Sequence, residues 1–418
     1  MDFGRSDDPR VQAQLDRLSQ LSVPQGRIGL ETIRAMMDRL GNPHRKLPPV
    51  FHVAGTNGKG SVCAFLRAML EADGKRVHVT TSPHLVRYNE RIRIAGELIS
   101  DEALAALLED VLDACEDLAP SFFEVTIAAA FLTFSVTPAD ACVVEVGLGG
   151  RFDATNVLEP EAVAACGIAA LGIDHERFLL APEDGVPKEP MARIAFEKAG
   201  IAKRGVPLVT MDADYPDEAR RAIHATANDL QPRLIEMQPG EKLKFGKAAC
   251  ALRGDHQLRN AALAAAMIRE QSAITVAEEA MVAGLASAKW PARMQQLSPG
   301  PLTGTRETWL DGGHNRSAGE ALASEFEGLM LHLVIGMLKA KDPAALIEPL
   351  AGSIASINTV PVPGHDHHEA AAFGPNASSA PDLSTALAAL PDDGLPVLIA
   401  GSLYLAGEAL RLNDEIPD

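Results

Sequence analysis

Several classes of protein are ruled out by what this chain has little of. No apolar run reaches the ~18 residues that a membrane-crossing helix needs, so no membrane span is expected. Cysteine is scarce: the five residues at 63, 115, 142, 166 and 250 show no CxxC spacing. That argues against a disulfide framework or a thiolate metal site. Four of the five lie in runs that read as core helix or strand, where a reduced thiol packs as a small hydrophobe. The first ten residues, MDFGRSDDPR, lack the apolar core of a secretion signal, and a cytoplasmic protein is expected. Positive charge is in deficit, with 38 Lys and Arg against 56 Asp and Glu and a net charge of −18. A nucleic-acid partner is therefore not expected. There is no internal repeat and no long low-complexity run.

What remains is a soluble globular profile, 47% hydrophobic and 22% charged, on a chain long enough for two domains. The stretch that organises it is His52-Val53-Ala54-Gly55-Thr56-Asn57-Gly58-Lys59-Gly60-Ser61. An apolar run over 50–54 reads as a buried strand, the glycines as a tight turn, and 61–70 as a helix. Strand, glycine loop and helix form a phosphate-binding architecture. Glycines let the backbone approach, amides point at the anion, and the helix N-terminus favours negative charge. Lys59 adds a cation for the terminal phosphates. The pattern departs from G-x-x-x-x-G-K-[ST]: Val53 replaces its first glycine, Gly60 its Ser/Thr, and Ser61 comes one residue late. An anionic nucleotide on so acidic a protein needs local cations, helix termini or Mg²⁺.

Strand and helix patterns then alternate, which points to an α/β fold with a parallel sheet. Residues 76–81 read as a strand and 82–92 as a long polar loop beside the phosphate site. Ser100 caps one helix, and 122–135 form a second. The run 141–146 reads as a central strand with one acid inside it, Glu145. Buried there, it needs an ion-pair partner or a metal; an edge strand is the other reading. Residues 167–173 read as a strand delivering Asp174 and His175, and His175 is either structural or a ligand. Residues 178–190 read as a surface loop, 194–201 as a short helix, 229–253 as mixed β-like chain, and 254–270 as an alanine-rich helix. The Ser298-Pro299-Gly300-Pro301 turn sets an expected boundary between domains 1–296 and 297–418. The second domain repeats the strand–helix rhythm and presents Asp311-Gly312-Gly313-His314-Asn315. The cluster His365-Asp366-His367-His368 sits in a Pro/Gly-flanked loop and reads as solvated.

Taken in order, HVAGTNGKGSV (52–62), TSPHL (81–85), RYNERI (87–92), VEVGLGGRFDATN (144–156), EKAGI (197–201), His256-Gln257, Trp290 to Arg293, Asp311 to Asn315 and GSLYLAGE (401–408) resemble the folylpolyglutamate synthase/dihydrofolate synthase family of the Mur ligase superfamily. The resemblance implies a Mur ligase-like architecture: a P-loop parallel-sheet domain followed by a smaller Rossmann-like α/β domain. It implies an ATP-dependent amide ligase that phosphorylates a pteroate or folate carboxylate and joins L-glutamate to it. By position, Gly55, Thr56, Asn57, Gly58, Lys59, Gly60 and Ser61 resemble the triphosphate cradle. Ser82, Glu145 and His175 resemble magnesium ligands, which frees Ser61 from that role. Lys198 resembles a lysine carbamylated in the superfamily. Asn260 and Arg293, with Asp311 and His314 from the second domain, resemble nucleotide contacts, and the site is expected to be completed by domain closure. Lys59, Lys198 and His175 carry the expected catalytic roles. Phe123 and Asp153 match dihydropteroate-binding positions; a core role for Phe123 remains open. A monomer is expected.

The chain departs from the family pattern at Ala292, in place of a glycine, and Gly313, in place of an alanine. Both are small for small, with little expected effect. The 178–190 loop is longer than the pattern suggests. The alternatives are a folylpolyglutamate synthase without the first reaction, a peptidoglycan Mur ligase, which RYNERI and the G-K-G-S ending argue against, and a non-catalytic nucleotide-binding module, which Lys59, Glu145 and His175 argue against.

Overall fold

The computed structural model describes residues 4–21, 29–238 and 250–417. Part of the mixed segment expected at 229–253, residues 239–249, lies outside them. The chain divides into two compact units, Met1–Ala251 with Gln257–Lys289, and Leu252–His256 with Trp290–Asp418. The division falls ahead of the 298–301 turn because Gln295 and Gln296 pair with a strand of the second unit.

Unit 1 holds an eight-stranded sheet of β1 (Val50–Ala54), β2 (Val77–Thr80), β3 (Ile92–Ile94), β4 (Glu97–Leu98), β5 (Ala141–Glu145), β6 (Val163–Ile168), β7 (Pro207–Thr210) and β8 (Arg233–Glu236). Its order is β4-β3-β2-β5-β1-β6-β7-β8. All neighbours are parallel except the β2-β3-β4 edge. β1, β2, β5, β6 and β7 are buried along their whole length, which is why they read as continuous apolar runs. Cys63, Cys115, Cys142 and Cys166 are buried free thiols.

The strand order and one strand's length could not be read from the apolar runs alone. β5 and β6 are not neighbours, since β1 lies between them, with Val53 opposite Glu145 on one side and Ala54 opposite Ile168 on the other. The expected strand over 167–173 ends at Ile168. The carbonyls beyond it are diverted: Ala170 O accepts from the amides of Thr56 (2.8 Å) and Asn57 (3.1 Å), Gly172 O accepts from Thr56 Oγ1 (2.9 Å), and the Tyr215 hydroxyl takes the carbonyls of Ile168 and Ala169. Apolar residues that resemble a strand thus brace the phosphate loop.

The helices follow their caps. Ser100 and Ser121 accept amide hydrogen bonds at the starts of Asp101–Cys115 and Phe122–Val136, the latter as a capping box with Glu124. The expected 178–190 loop contains the end of a one-turn helix, Glu176–Leu179, and Pro190 opens the helix Pro190–Ala199. The helix Glu278–Ser287 was not anticipated.

Unit 2 holds a six-stranded sheet in the order β13-β12-β11-β14-β10-β9, with β9 (Gln295–Gln296), β10 (Thr308–Leu310), β11 (Leu331–Ile335), β12 (Ile354–Thr359), β13 (Ala377–Ser379) and β14 (Val397–Ala400). Only β9 is antiparallel. Its core packs Trp309, Leu333, Ile335, Leu346 and Leu398. The architecture is the expected α/β one, two sheets dominated by parallel pairing. Among the described residues no helix is long and apolar enough to cross a membrane.

Helix Glu278–Ser287 rests on the phosphate-loop helix Lys59–Ala72 through Gly284. A Cβ there would lie 2.4 Å from Met69 Cα and N. Gly284→Ala is expected to cost about 1–3 kcal/mol through overpacking, read from equilibrium urea unfolding.

Candidate active site

The site in unit 1 begins where β1 ends. Gly55 has φ +151 and Gly58 φ +83. The helix starts at Lys59, two residues earlier than expected, with Gly58 as its N-cap and no side-chain hydrogen bond at the cap. Its first amides have no acceptor within the helix and form a ready anion site. The loop is packed tightly: a Cβ at Gly55 would lie 2.8 Å from Ala169 Cβ, and one at Gly58 2.5 Å from Asn260 Oδ1. Asn260 thus reaches the loop, and its Nδ2 donates to Gln257 Oε1 (3.0 Å).

Lys198 comes to the same loop from the helix Pro190–Ala199. It is buried, and its Nζ donates to Gly55 O at 2.9 Å. Burial, aided by the charge of Lys59, lowers its pKa from the usual 10.5 to about 7, against the opposing pull of Asp174, Asp153 and Glu197. A substantial fraction of this amine is therefore neutral near pH 7.

Glu145 closes β5 at 5% exposure. A carboxylate so buried requires partners, and the Ser82 amide donates to its Oε2 at 3.0 Å. The structure therefore brings Ser82 and Glu145 together. His175 sits on the stretch after β6, exposed and with a left-handed φ of +53. Carboxylate and hydroxyl oxygens with one imidazole form a donor set suited to Mg²⁺ or Mn²⁺. A different group, Asp212, His224 and Glu236, converges near the β7–β8 edge. Arg220 lies 3.6 Å from Asp212 and already answers its charge.

Phe123 is half-buried near the start of the helix Phe122–Val136, with its ring against the backbone after β5: a Cβ at Gly147 would lie 2.4 Å from the ring's Cζ. Asp153, 3% exposed, faces its own loop. Its Oδ2 accepts from Leu148 N (2.8 Å) and its Oδ1 from Thr155 N (3.0 Å) and Thr155 Oγ1 (2.5 Å). These three donors use three of the four acceptor sites a carboxylate offers. Burial raises its pKa, against the pull of those hydrogen bonds.

Residues missed by sequence reasoning surround this core. His52 reaches Thr155, whose hydroxyl bonds Asp153. Glu183, from the expected surface loop, pairs with Arg151 (2.5 Å) and Arg193 (2.6 Å), and Glu197 pairs with the same two arginines (2.8 and 3.0 Å). Bonding to Arg151 above all holds Glu183 down at about 2. Alternating charges in 183–197 were the only available signal.

In unit 2, Asp311, Arg293 and His314 gather at the end of β10. Asp311 Oδ2 accepts from Met294 N (2.9 Å) and Oδ1 from Gly313 N (2.7 Å). Arg293 Nη1 donates to Ala292 O (2.8 Å) and lies 3.0 Å from where a Gly312 Cβ would be. His314 Nδ1 lies 3.3 Å from Gly312 O. Ring nitrogens of His365, His367 and His368 bond backbone carbonyls of Pro363, His365 and Lys341, so a carbonyl accounts for one nitrogen of each ring.

No protein-family model matches the chain. The dihydrofolate synthase/folylpolyglutamate synthase of Bacillus subtilis is 34% identical to it, over 91% of this chain and 94% of that protein. The chain belongs to the dihydrofolate synthase/folylpolyglutamate synthase family. It is an ATP-dependent acid–amino-acid ligase of folate metabolism with the two-domain Mur ligase fold. A bifunctional folylpolyglutamate synthase/dihydrofolate synthase from Yersinia pestis, solved with AMPPNP and Mn ion, superposes with a TM-score of 0.82 at 28% identity, covering 96% of this chain and 97% of that one. A further structure of such a bifunctional enzyme, with Mn, AMPPNP and L-glutamate bound, has a TM-score of 0.81 at 28% identity and the same coverage, 96% and 97%.

Within the family pattern, the two departures are not conformationally neutral. Ala292 stands in place of a glycine with φ +55, a region that strains any residue with a Cβ. A Cβ at Gly313 would lie 2.5 Å from Ala318 Cβ, so the family's alanine does not fit here unless Ala318 shifts.

Two outcomes are expected. Ala292→Gly should raise stability by about 0.5 kcal/mol, the relieved strain exceeding glycine's extra unfolded-state entropy, as read from thermal melting. For Lys198, the folded pKa of about 7 lies below the ordinary 10.5, so the unfolded chain binds more protons between them. In CO₂-free buffer, where the amine is unmodified, stability should climb as pH rises through that window, and Lys198→Met should flatten the climb in urea titrations at pH 7 to 10.

Proposed function

We propose that this chain joins L-glutamate to dihydropteroate and then to reduced folates, each time through an acyl phosphate. The observation that carries the reading is the convergence on Gly55 of the phosphate loop and Lys198, with the Ser82–Glu145 pair at the end of β5 two strands from β6. It occurs in a chain similar to bifunctional enzymes over nearly its whole length.

A carboxylate is a poor electrophile at neutral pH. Transfer of the terminal phosphoryl group of ATP to a substrate carboxylate oxygen releases ADP and turns that oxygen into a leaving group. The glutamate amine then attacks the acyl carbon, loses a proton, and phosphate departs. The amides of 55–61 hold the triphosphate, and Lys59 neutralises charge that spreads over the transferring group. Mg²⁺ would be held by Ser82, Glu145 and His175, and it would draw negative charge from the phosphoryl oxygens. Asn260, Arg293, Asp311 and His314 are assigned to the nucleotide. Phe123 offers a face to the pterin ring, and Asp153 belongs to the same end of the site.

Lys198 is assigned as a carbamylated residue. Only a neutral amine attacks CO₂, and burial beside Lys59 supplies one near pH 7. The resulting anion would answer the charge of Lys59 or of the metal. We assign the first unit, which ends at Lys289, to ATP binding and the second, which holds Trp290–Asp418, to the glutamate ligase domain, in a cytoplasmic monomer.

Mass spectrometry of a reaction containing dihydropteroate, Mg-ATP and glutamate should show dihydrofolate and then longer glutamates. Products from reduced folate alone, with no rescue of a strain lacking dihydrofolate synthase, would indicate the folylpolyglutamate synthase alternative. Lys59→Ala is expected to lower kcat at least about a hundredfold, as loss of a transition-state charge contact does; unchanged ADP release would refute its role. With ¹³C-bicarbonate, a carbamate NMR resonance should appear in the parent and be lost in Lys198→Ala.

A further inference from the structure

His52 is the one polar residue in the interior of β1, and it is fully buried. A valine or isoleucine would serve the core better at that point of a parallel sheet. Its Nε2 lies 2.8 Å from Thr155 Oγ1, and Thr155, also fully buried, lies 2.5 Å by the same oxygen from Asp153 Oδ1. The proton directions follow from the end of this chain. An ionised carboxylate only accepts, so the Thr155 hydroxyl donates to Asp153. That hydroxyl has one proton, so its oxygen accepts from His52 Nε2–H. His52 is then the neutral Nε2–H tautomer, and its Nδ1 is left as a buried acceptor without a partner. The orphan is a cost the sheet tolerates, and such exceptions call for a functional reason.

The relay leads toward the reacting groups. Asp153 fixes the amide of Leu148, and the backbone of the preceding residue, Gly147, carries the ring of Phe123. At its other end, His52 lies two residues before Ala54 and the phosphate loop. The far side of the same loop is pinned to the helix that bears Lys198: Arg151 N donates to Glu197 O (2.7 Å), and Asn156 Nδ2 donates to Arg151 O (3.0 Å) and Gly200 O (3.1 Å).

We propose that His52 and Thr155 are positioning residues which, through Asp153, hold the 147–150 backbone in register with β1 and so set where the pteroate ring rests on Phe123. Asp153 shapes the loop through its hold on the Leu148 amide. This rests on the reading of Phe123 as the pteroate face.

The test uses the full-length enzyme and steady-state kinetics with dihydropteroate and ATP varied separately. Thr155→Val removes the hydroxyl at constant shape, and His52→Leu removes the donor. Each is expected to raise KM for dihydropteroate about tenfold, a misplacement effect, with KM for ATP within about twofold of the parent. Thr155→Ser, which keeps the hydroxyl, and His52→Gln, which keeps an N–H donor, are expected to restore it. An unchanged dihydropteroate KM in Thr155→Val overturns the proposal. So does a parallel rise in both KM values that Thr155→Ser fails to reverse, since that is general loosening. Phe123→Ala separates the two readings. If it leaves dihydropteroate KM unchanged, the pteroate face is misassigned and the proposal falls with it. If it raises that KM while Thr155→Val and His52→Leu are silent, only the relay fails.

Discussion

The hold on a single peptide, that of Gly55, is the constraint on which the rest of unit 1 turns. Its Cα has no room for a side chain because Ala169 is packed against it, and its carbonyl receives Lys198. Both neighbours must stand at fixed places for this to work. β6 must run beside β1 and then leave the ladder, and the helix Pro190–Ala199 must deliver a buried lysine to the strand end. Two cations, Lys59 and Lys198, consequently share a small volume in a protein whose overall charge is −18. Lys198, with no water to solvate it, gives way and tends to neutrality. The acidic surface and the cationic site are compatible because charge acts over a short range at a helix terminus and a strand end.

The parts of this arrangement legible in the sequence were those with a local cause. Buried parallel strands read as apolar runs, capped helices showed their serines, and the glycine loop announced a close backbone approach. Other features had no local trace. That β1 separates β5 from β6 is a matter of strand order, which periodicity does not encode. Residues 169–173 have strand composition, yet their carbonyls serve Thr56, Asn57 and Tyr215. Asp153 could be singled out by motif, but the three hydrogen bonds it takes from its own loop depend on side-chain geometry. His52 was visible from the start as part of a motif, with no hint that its ring reached a threonine 103 positions away.

The departures at 292 and 313 carry the same lesson in smaller form. Exchanging glycine and alanine looks neutral by size. At 292 the alanine occupies a left-handed conformation, and at 313 the glycine leaves space that Ala318 has taken. The two positions flank the turn that binds Asp311 to Met294, so backbone conformation and side-chain volume are settled together there.

The square of Arg151, Glu183, Arg193 and Glu197 has a consequence for how this enzyme meets heat and brine. Its members are largely withdrawn from water, with side-chain exposures of 21, 14, 6 and 6%, unlike the exposed pairs such as Arg316 with Glu348. Added salt screens the latter first. Warming lowers the hydration penalty that withdrawn charges pay, so the square gains relative to the apolar contacts around it. The long connection that carries Glu183 is therefore fastened to the Lys198 helix by the kind of bond that loses least as the cell grows hotter or saltier.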